Sequence, residues 1–199
     1  MKNAFYTVGF MLAVSAVFAL VLSLANAFYL PTIEANDQID EMRDILYVLR
    51  LDPDGDADAI LARYNDAVET ISSPIGDIHA RRDEGGAPVT YAVPFTGAGL
   101  WGSMRGYIGV NAELDEMTGL AFTEHSETPG LGGRIDELVY REQFIGLPIA
   151  SDTRLAYGAA GGETIDAITG ATSTSNAVLS ILNRVLSDNL PEVEVAVNG

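Results

Sequence analysis

The sequence predicts an α+β protein: one N-terminal transmembrane helix, then a soluble domain with a half-buried antiparallel sheet flanked by helices. Three observations predict it. Residues 3–33 carry no charge, and the run 4–30 is long enough to cross a hydrocarbon core of roughly 30 Å as a helix. Between 86 and 125, short apolar runs alternate and glycines break them: Val89, Tyr91, Val93 and Phe95, then Tyr107, Ile108 and Val110, then Leu120 and Phe122. Near the C-terminus Val178, Ile181, Leu182, Val185 and Leu186 recur at steps of three and four, which is helical spacing.

The elements follow in order. Residues 1–31 are read as a membrane anchor. A cleaved signal peptide is the competing reading, with Ala25-Asn26-Ala27 as its small-residue cleavage site. The apolar run is longer than a signal core, however, and Phe28, Tyr29 and Leu30 extend it past that site. Lys2 flanks one end, while Glu34, Asp37, Asp40 and Glu41 flank the other. The positive-inside rule then puts the N-terminus in the cytoplasm and the bulk of the chain outside. Pro31 is expected to mark the exit from the membrane helix.

Residues 32–85 are expected to form a juxtamembrane helical segment, with helices over 33–51 and 59–71. Between them Asp52, Asp54, Asp56 and Asp58 alternate like calcium ligands. Glycine falls at loop position four instead of six, and Arg63 stands where a glutamate is needed, so a turn and an acidic helix start explain the run better. Residues 86–190 form the main domain: the strands, a turn-rich loop over 126–133, a helix over 134–149, a short strand over 153–157 and the final helix. Residues 191–199, beginning at Pro191, are expected to be a mobile acidic tail.

Composition narrows the chemistry. The 199 residues hold 28 acidic and 11 basic side chains, a formal charge of −17, which argues against nucleic acid as a partner. With no cysteine there is neither a thiolate nucleophile nor a cysteine-ligated iron–sulfur cluster. With only His79 and His125, a histidine-rich metal site is not expected. Redox work would need an organic cofactor. No dinucleotide-binding glycine fingerprint follows a strand, so oxidation of NADH by this chain itself is not expected.

The stretch 166–178, DAITGATSTSNAV, concentrates hydroxyls: Thr169, Thr172, Ser173, Thr174 and Ser175 surround Gly170 and Ala171. A helix cap by Thr174 or Ser175 accounts for one of them. A helix N-terminus also attracts phosphate, so a hydroxyl held there can carry a phosphate as ligand or ester.

Asp166-Ala-Ile-Thr-Gly-Ala-Thr172 resembles the flavinylation sequence Asp-x-x-Ser/Thr-Gly-Ala-Thr of the FMN-binding domain family. That domain is shared by the C-type subunit of the Na+-translocating NADH:quinone oxidoreductase and the G-type subunit of the Rnf complex. His125-Ser-Glu-Thr-Pro-Gly-Leu-Gly132 is similar to the family's His-x-Glu-Thr-Pro-Gly-Leu-Gly loop, and Gly97-Ala-Gly-Leu-Trp101 to the Gly-x-Gly-Leu-Trp pattern of the C type. The resemblance runs from about Lys2 to Leu190. It implies FMN bound covalently through a phosphoester on Thr172, attached by a flavin transferase that uses FAD and Mg2+. Asp166, Thr169, Gly170 and Ala171 are then recognition positions, with Ser173 and Thr174 beside them. Glu127, Thr128, Leu131 and Gly132 would contact the flavin. Leu100 and Trp101 would lie near it; Trp101 either stacks there or fills the core.

The resemblance further implies an electron-transfer subunit of a respiratory complex coupled to ion (Na+) translocation, with other membrane subunits as partners. It would sit as a single-pass protein of the bacterial inner membrane with its FMN domain outside. The GLWG segment favours the C type, with the G type next. The remaining alternatives are a stand-alone membrane-tethered flavoprotein and a non-redox binding module holding calcium at 52–58. No catalytic residue and no metal ligand are assigned.

Overall fold

The structure is a computed structural model that describes residues 2–149, 153–158 and 165–198. It divides into two compact units, residues 1–39 and 40–199.

The first unit is most of helix α1, Lys2–Val48. The segment from Phe5 to Val48 is the one described helix long and apolar enough to cross a membrane. Phe5, Phe10, Phe18, Leu22 and Phe28 stand outward along it, as a lipid-facing surface requires. Pro31 lies inside α1 and does not end it. The proline costs the helix one backbone bond, yet α1 continues through it to Val48.

In the second unit α1 runs to Val48 and stops in a Schellman turn. Arg50 takes the left-handed conformation (φ 60°), the Leu51 N–H reaches the Leu46 carbonyl at 2.9 Å and the Arg50 N–H the Tyr47 carbonyl at 3.1 Å. Helix α2 spans Ala57–Ala67, and the Asp56 carboxylate caps it by accepting from the Ala59 N–H at 2.9 Å. That contact gives part of the aspartate run a structural task.

Five strands follow: β1 (Val68–Ser73), β2 (Gly76–Arg82), β3 (Pro88–Ala98), β4 (Ser103–Asn111) and β5 (Met117–Glu124). They form one antiparallel sheet in sequence order. Strands β1 and β2 replace part of the helical segment expected over 32–85. Ile60, Tyr64, Val68 and Ile71 fit a helical spacing, yet Val68, Thr70 and Ile71 are β-branched and pair with β2.

The centre of the sheet is covered on both faces. On one face Tyr91, Val93, Phe95, Met104, Ile108, Leu120 and Phe122 pack against α4 (Thr172–Arg184). On the other, Ala92, Tyr107 and Ala121 pack against Ile45, Val48 and Leu49 at the end of α1. The sheet is thus more than half buried, because glycines let the helix end settle onto it. A Cβ at Gly109 would lie 2.3 Å from the Val48 carbonyl oxygen, and one at Gly119 would lie 3.0 Å from the Val48 Cα. The exposed carbonyls of α1 are then closed by the sheet. Thr118 Oγ1 donates to the Val48 carbonyl at 2.6 Å, Thr90 Oγ1 to Leu49 at 3.1 Å, and Arg81 reaches Leu49 and Arg50 at 3.3 and 3.2 Å.

The helix expected over 134–149 is fragmented. A 3₁₀ turn, Gly132–Asp136, is followed by α3, Leu138–Arg141, and a second 3₁₀ turn, Glu142–Phe144. Tyr140 and Phe144 point into the core, and Gly146 (φ 78°) ends the run. Over 153–157 there is one isolated bridge, Tyr157 with Ile165, in place of a strand; the glycine-rich residues 159–164 lie outside the described residues. Beyond α4 a π-helical turn, Val185–Asn189, leads into α5, Leu190–Asn198. Where a mobile tail was expected, Leu190 and Val193 are buried. Pro191 follows the π-helical turn directly and does not end the helical run.

Candidate cofactor attachment site

The motif at 166–172 is a turn feeding a helix. The Ala171 N–H donates to the Ile168 carbonyl at 2.9 Å, and Gly170, third in that turn, has φ 83°. A type II turn needs positive φ there, so glycine is required. Helix α4 begins at Thr172 behind Ala171, and no side chain caps it. The first N–H groups of the helix, with the positive end of its dipole, are therefore left for an anion.

The residues of this stretch divide into two sets. Asp166, Thr169, Gly170, Thr172 and Ser173 are exposed, whereas Ile168, Ala171, Thr174 and Ser175 are buried. Thr174 and Ser175, the candidate caps, lie within α4 and bond elsewhere. Ser175 Oγ accepts from the Ile168 N–H at 3.0 Å, and Thr174 Oγ1 donates to Glu127 Oε2 at 2.5 Å. The helix starts earlier than a hydroxyl cap predicts because the turn at Gly170 already sets its direction.

A tyrosine pair braces this turn. Tyr157 OH donates to the Ser175 carbonyl and meets Tyr140 OH, both at 2.8 Å. Burial pushes both phenols above the ordinary tyrosine value, so they serve as neutral hydrogen-bonding groups. Nothing in the sequence singles these residues out, since isolated tyrosines carry no motif. Asp166 and Thr169 line a cleft of about 400 Å³ with Arg134, Glu137, Tyr140 and Gln143. Gln143 Oε1 accepts the Asp166 N–H at 2.6 Å, and Arg134 pairs with Glu137 at 3.1 Å.

The loop over 125–133 lies beside α4. Glu127 is only 5% exposed. Its Oε1 accepts the N–H of Leu100 at 2.7 Å and of Trp101 at 3.3 Å, while Oε2 takes Thr174. The Thr128 carbonyl accepts from Leu131 and Gly133 at 3.1 and 2.9 Å, which folds the loop back on itself. Gly132 is buried, and Thr128 is exposed. His125 bonds to the Asp136 carboxylate at 2.7 Å and accepts the Glu127 N–H at 3.1 Å. Leu100, Trp101 and Leu131 are 51%, 68% and 48% exposed. Trp101 is therefore not a core residue, whereas Tyr107 and Phe122 are buried in the core. A Cβ on Gly170 would sit 3.6 Å from Leu131 Cδ2, so Leu131 neighbours the attachment turn. Among the described residues no group of acidic or histidine side chains is placed to hold a metal ion.

The arrangement defines a class: an α+β domain with an apolar helix of membrane-spanning length, presenting a hydroxyl at an uncapped helix start beside exposed apolar side chains. The pattern of the FMN-binding domain family matches residues 99–187. The G-type subunit of the ion-translocating oxidoreductase complex of Methanosarcina acetivorans is 31% identical over 179 residues, 87% of each chain. The C-type subunit of the Na(+)-translocating NADH-quinone reductase of Yersinia pestis is 30% identical over 161 residues. That match covers 77% of this chain but 57% of the relative, so this chain spans little more than half its length. A crystal structure of the corresponding C-type subunit from Parabacteroides distasonis shares the fold, with TM-score 0.66 and 24% identity, over 80% of this chain and 94% of the other. The chain belongs to the FMN-binding domain family.

The site suits FMN. Thr172 is exposed, the start of α4 has no side-chain cap, and Gly170 and Ala171 leave room beside it. The exposed Leu100, Trp101 and Leu131 offer an apolar surface to a flat ring.

Proposed function

We propose that this chain is a membrane-anchored electron-transfer protein that carries FMN as a phosphoester on Thr172. The observation that carries the reading is the exposed Thr172 hydroxyl in the first turn of an uncapped helix, directly behind Asp166–Ala171. The N–H groups at the start of α4 would hold the phosphate, a local compensation that matters on a chain of charge −17. Leu100, Trp101 and Leu131 would orient the ring and exclude water from one side. Bound FMN supplies one- and two-electron redox chemistry; the polypeptide supplies placement and electrostatics. A covalent bond prevents loss of the cofactor outside the cytoplasm, where Lys2 on one flank of the span and the acidic residues from Glu34 on the other would place the domain.

Its partners would be the other membrane subunits of an ion-translocating, Na+-coupled NADH:quinone oxidoreductase, with a flavin transferase acting during maturation. In this reading the flavin bears the electrons, and a single span offers no ion path of its own. A carrier of the G type is the second reading, favoured by the alignment spanning 87% of the Methanosarcina relative. The test of the attachment is expression with a flavin transferase. The wild-type chain is expected to fluoresce on a denaturing gel and to gain the mass of one FMN, and Thr172→Ala to do neither. Fluorescence that persists in Thr172→Ala would eliminate the assignment.

A further inference from the structure

The strongest unexplained feature of the site is a buried carboxylate, that of Glu127. Glu127 ties together three segments far apart in sequence: the β3–β4 turn at 99–102, its own loop, and the first turn of α4. A buried charge is costly unless each oxygen is bonded, and both oxygens of Glu127 are. The two backbone donors come from the tip of the hairpin, where strand pairing has ended after Gly99 bonds to Gly102 at 2.7 Å. Two glycines make room for the carboxylate. A Cβ on Gly99 would lie 2.6 Å from Oε1, and one on Gly132 would lie 2.7 Å from Oε2 and 2.5 Å from Thr174 Oγ1. An apolar side chain of similar size would fill this volume at less electrostatic cost; what it would not do is fix the two donors of the turn against the hydroxyl of α4.

We infer that Glu127 is a positioning residue: its carboxylate locks the Leu100–Trp101 tip to the first turn of α4, so that the apolar seat for the flavin ring is held in register with Thr172. The inference rests on the reading of Thr172 as the attachment point. Thr174 is the α4 end of the lock, and its place two residues after Thr172 puts attachment and lock on the same helical turn. The Leu100–Trp101 tip owes its order to this lock, because both side chains are themselves exposed.

Trp101 is the only tryptophan of the chain, so its emission reports on the lock directly. The experiment uses the full chain in detergent, made with and without a flavin transferase, as wild type, Glu127→Leu, Glu127→Gln and Thr174→Val. Folding is checked by circular dichroism and attachment by intact mass. In the flavin-free proteins Trp101 anisotropy is expected to fall in Glu127→Leu and Thr174→Val. In the loaded proteins Trp101 quenching per attached flavin is expected to fall with it. Thr174→Val, which removes one charge-assisted bond, shifts the docked-to-undocked ratio of the tip by about tenfold. Glu127→Gln is expected to keep the wild-type signal, since an amide can accept from the turn and donate to Thr174. Wild-type anisotropy and quenching in a folded Glu127→Leu chain would overturn the inference. If that variant does not fold, the same result in folded Thr174→Val overturns it. A wild-type chain that lacks the FMN mass defeats the Thr172 reading, and the inference falls with it; FMN present with an unchanged Trp101 signal in the variants defeats the inference alone.

Discussion

The two faces of the sheet treat a helix end in opposite ways. On one face the C-terminal carbonyls of α1 are capped by Thr118, Thr90 and Arg81 and pressed onto Gly109 and Gly119. Asp44 on α1 also pairs with Arg141 at 3.3 Å, Glu41 accepts from Tyr107 OH at 2.7 Å, and the Arg141 guanidinium lies 4.1 Å over the Tyr47 ring. On the other face the N-terminus of α4 has no side-chain cap, and Thr172 and Ser173 are exposed to solvent. The closed end holds the fold; the open end is where, in the reading proposed above, a phosphate would complete the helix.

This contrast sets out how the two faces should respond to mutation. Changes on the closed face should cost stability, and changes on the open face should cost the cofactor. The largest effect is expected from Gly109→Val, which drives a branched side chain into the Val48 carbonyl. A loss of about 3 kcal/mol in urea unfolding, followed by circular dichroism in detergent, is expected from such overpacking. An unchanged midpoint would mean that α1 does not seat on the sheet as described.

The next effect is a pH dependence. Burial pushes the Asp44 carboxyl up from 3.8 to about 6, against the pull of Arg141. The unfolded chain therefore loses this proton first, and the Asp44 contribution to stability falls as pH rises from about 4 to about 6. The drop amounts to about 3 kcal/mol at most. Asp44→Asn removes this component, so the difference between wild type and variant should change sharply across that window and be flat above it. A difference independent of pH would show that burial does not raise the Asp44 pKa above its unfolded value.

Smaller still is Thr118→Val, which leaves the Val48 carbonyl without its buried donor and should cost about 1 kcal/mol in the same urea titration. At the far end of the scale, Thr172→Ala should move the urea midpoint by less than about 0.5 kcal/mol, as an exposed substitution does, while abolishing covalent flavin. A Thr172→Ala chain as destabilised as Thr118→Val would erase the distinction between the two faces.

Much of the site is legible in the sequence because its signals are local. Gly170 is needed at one turn position, Ala171 must be small to enter the core, and Thr172 follows them directly. The strands β3, β4 and β5 are legible from alternation, and α4 from its three–four spacing. Strand β1 is not, because Val68 and Ile71 continue the helical spacing of Ile60 and Tyr64; only pairing with β2 decides between the two periods. Helix α5 is hidden by Pro191 and by the acidic residues around it, and its order comes from the burial of Val193.

The roles of Glu127 and Thr174 show the limit most plainly. The motif that contains each is visible, but a carboxylate has no local sign of its partner.

The sequence by itself determined an apolar helix of membrane length, an acidic domain free of thiols, the presence of the central strands and a hydroxyl placed after a glycine turn. These follow from composition, periodicity and the backbone limits of single residues. Tertiary structure alone decided that α1 ends on the sheet, that Thr174 and Ser175 turn inward while Thr172 turns outward, and that Glu127 joins the hairpin tip to α4. Those choices depend on which segments meet in space, and the energy of a buried polar group is settled only by the partner it meets there.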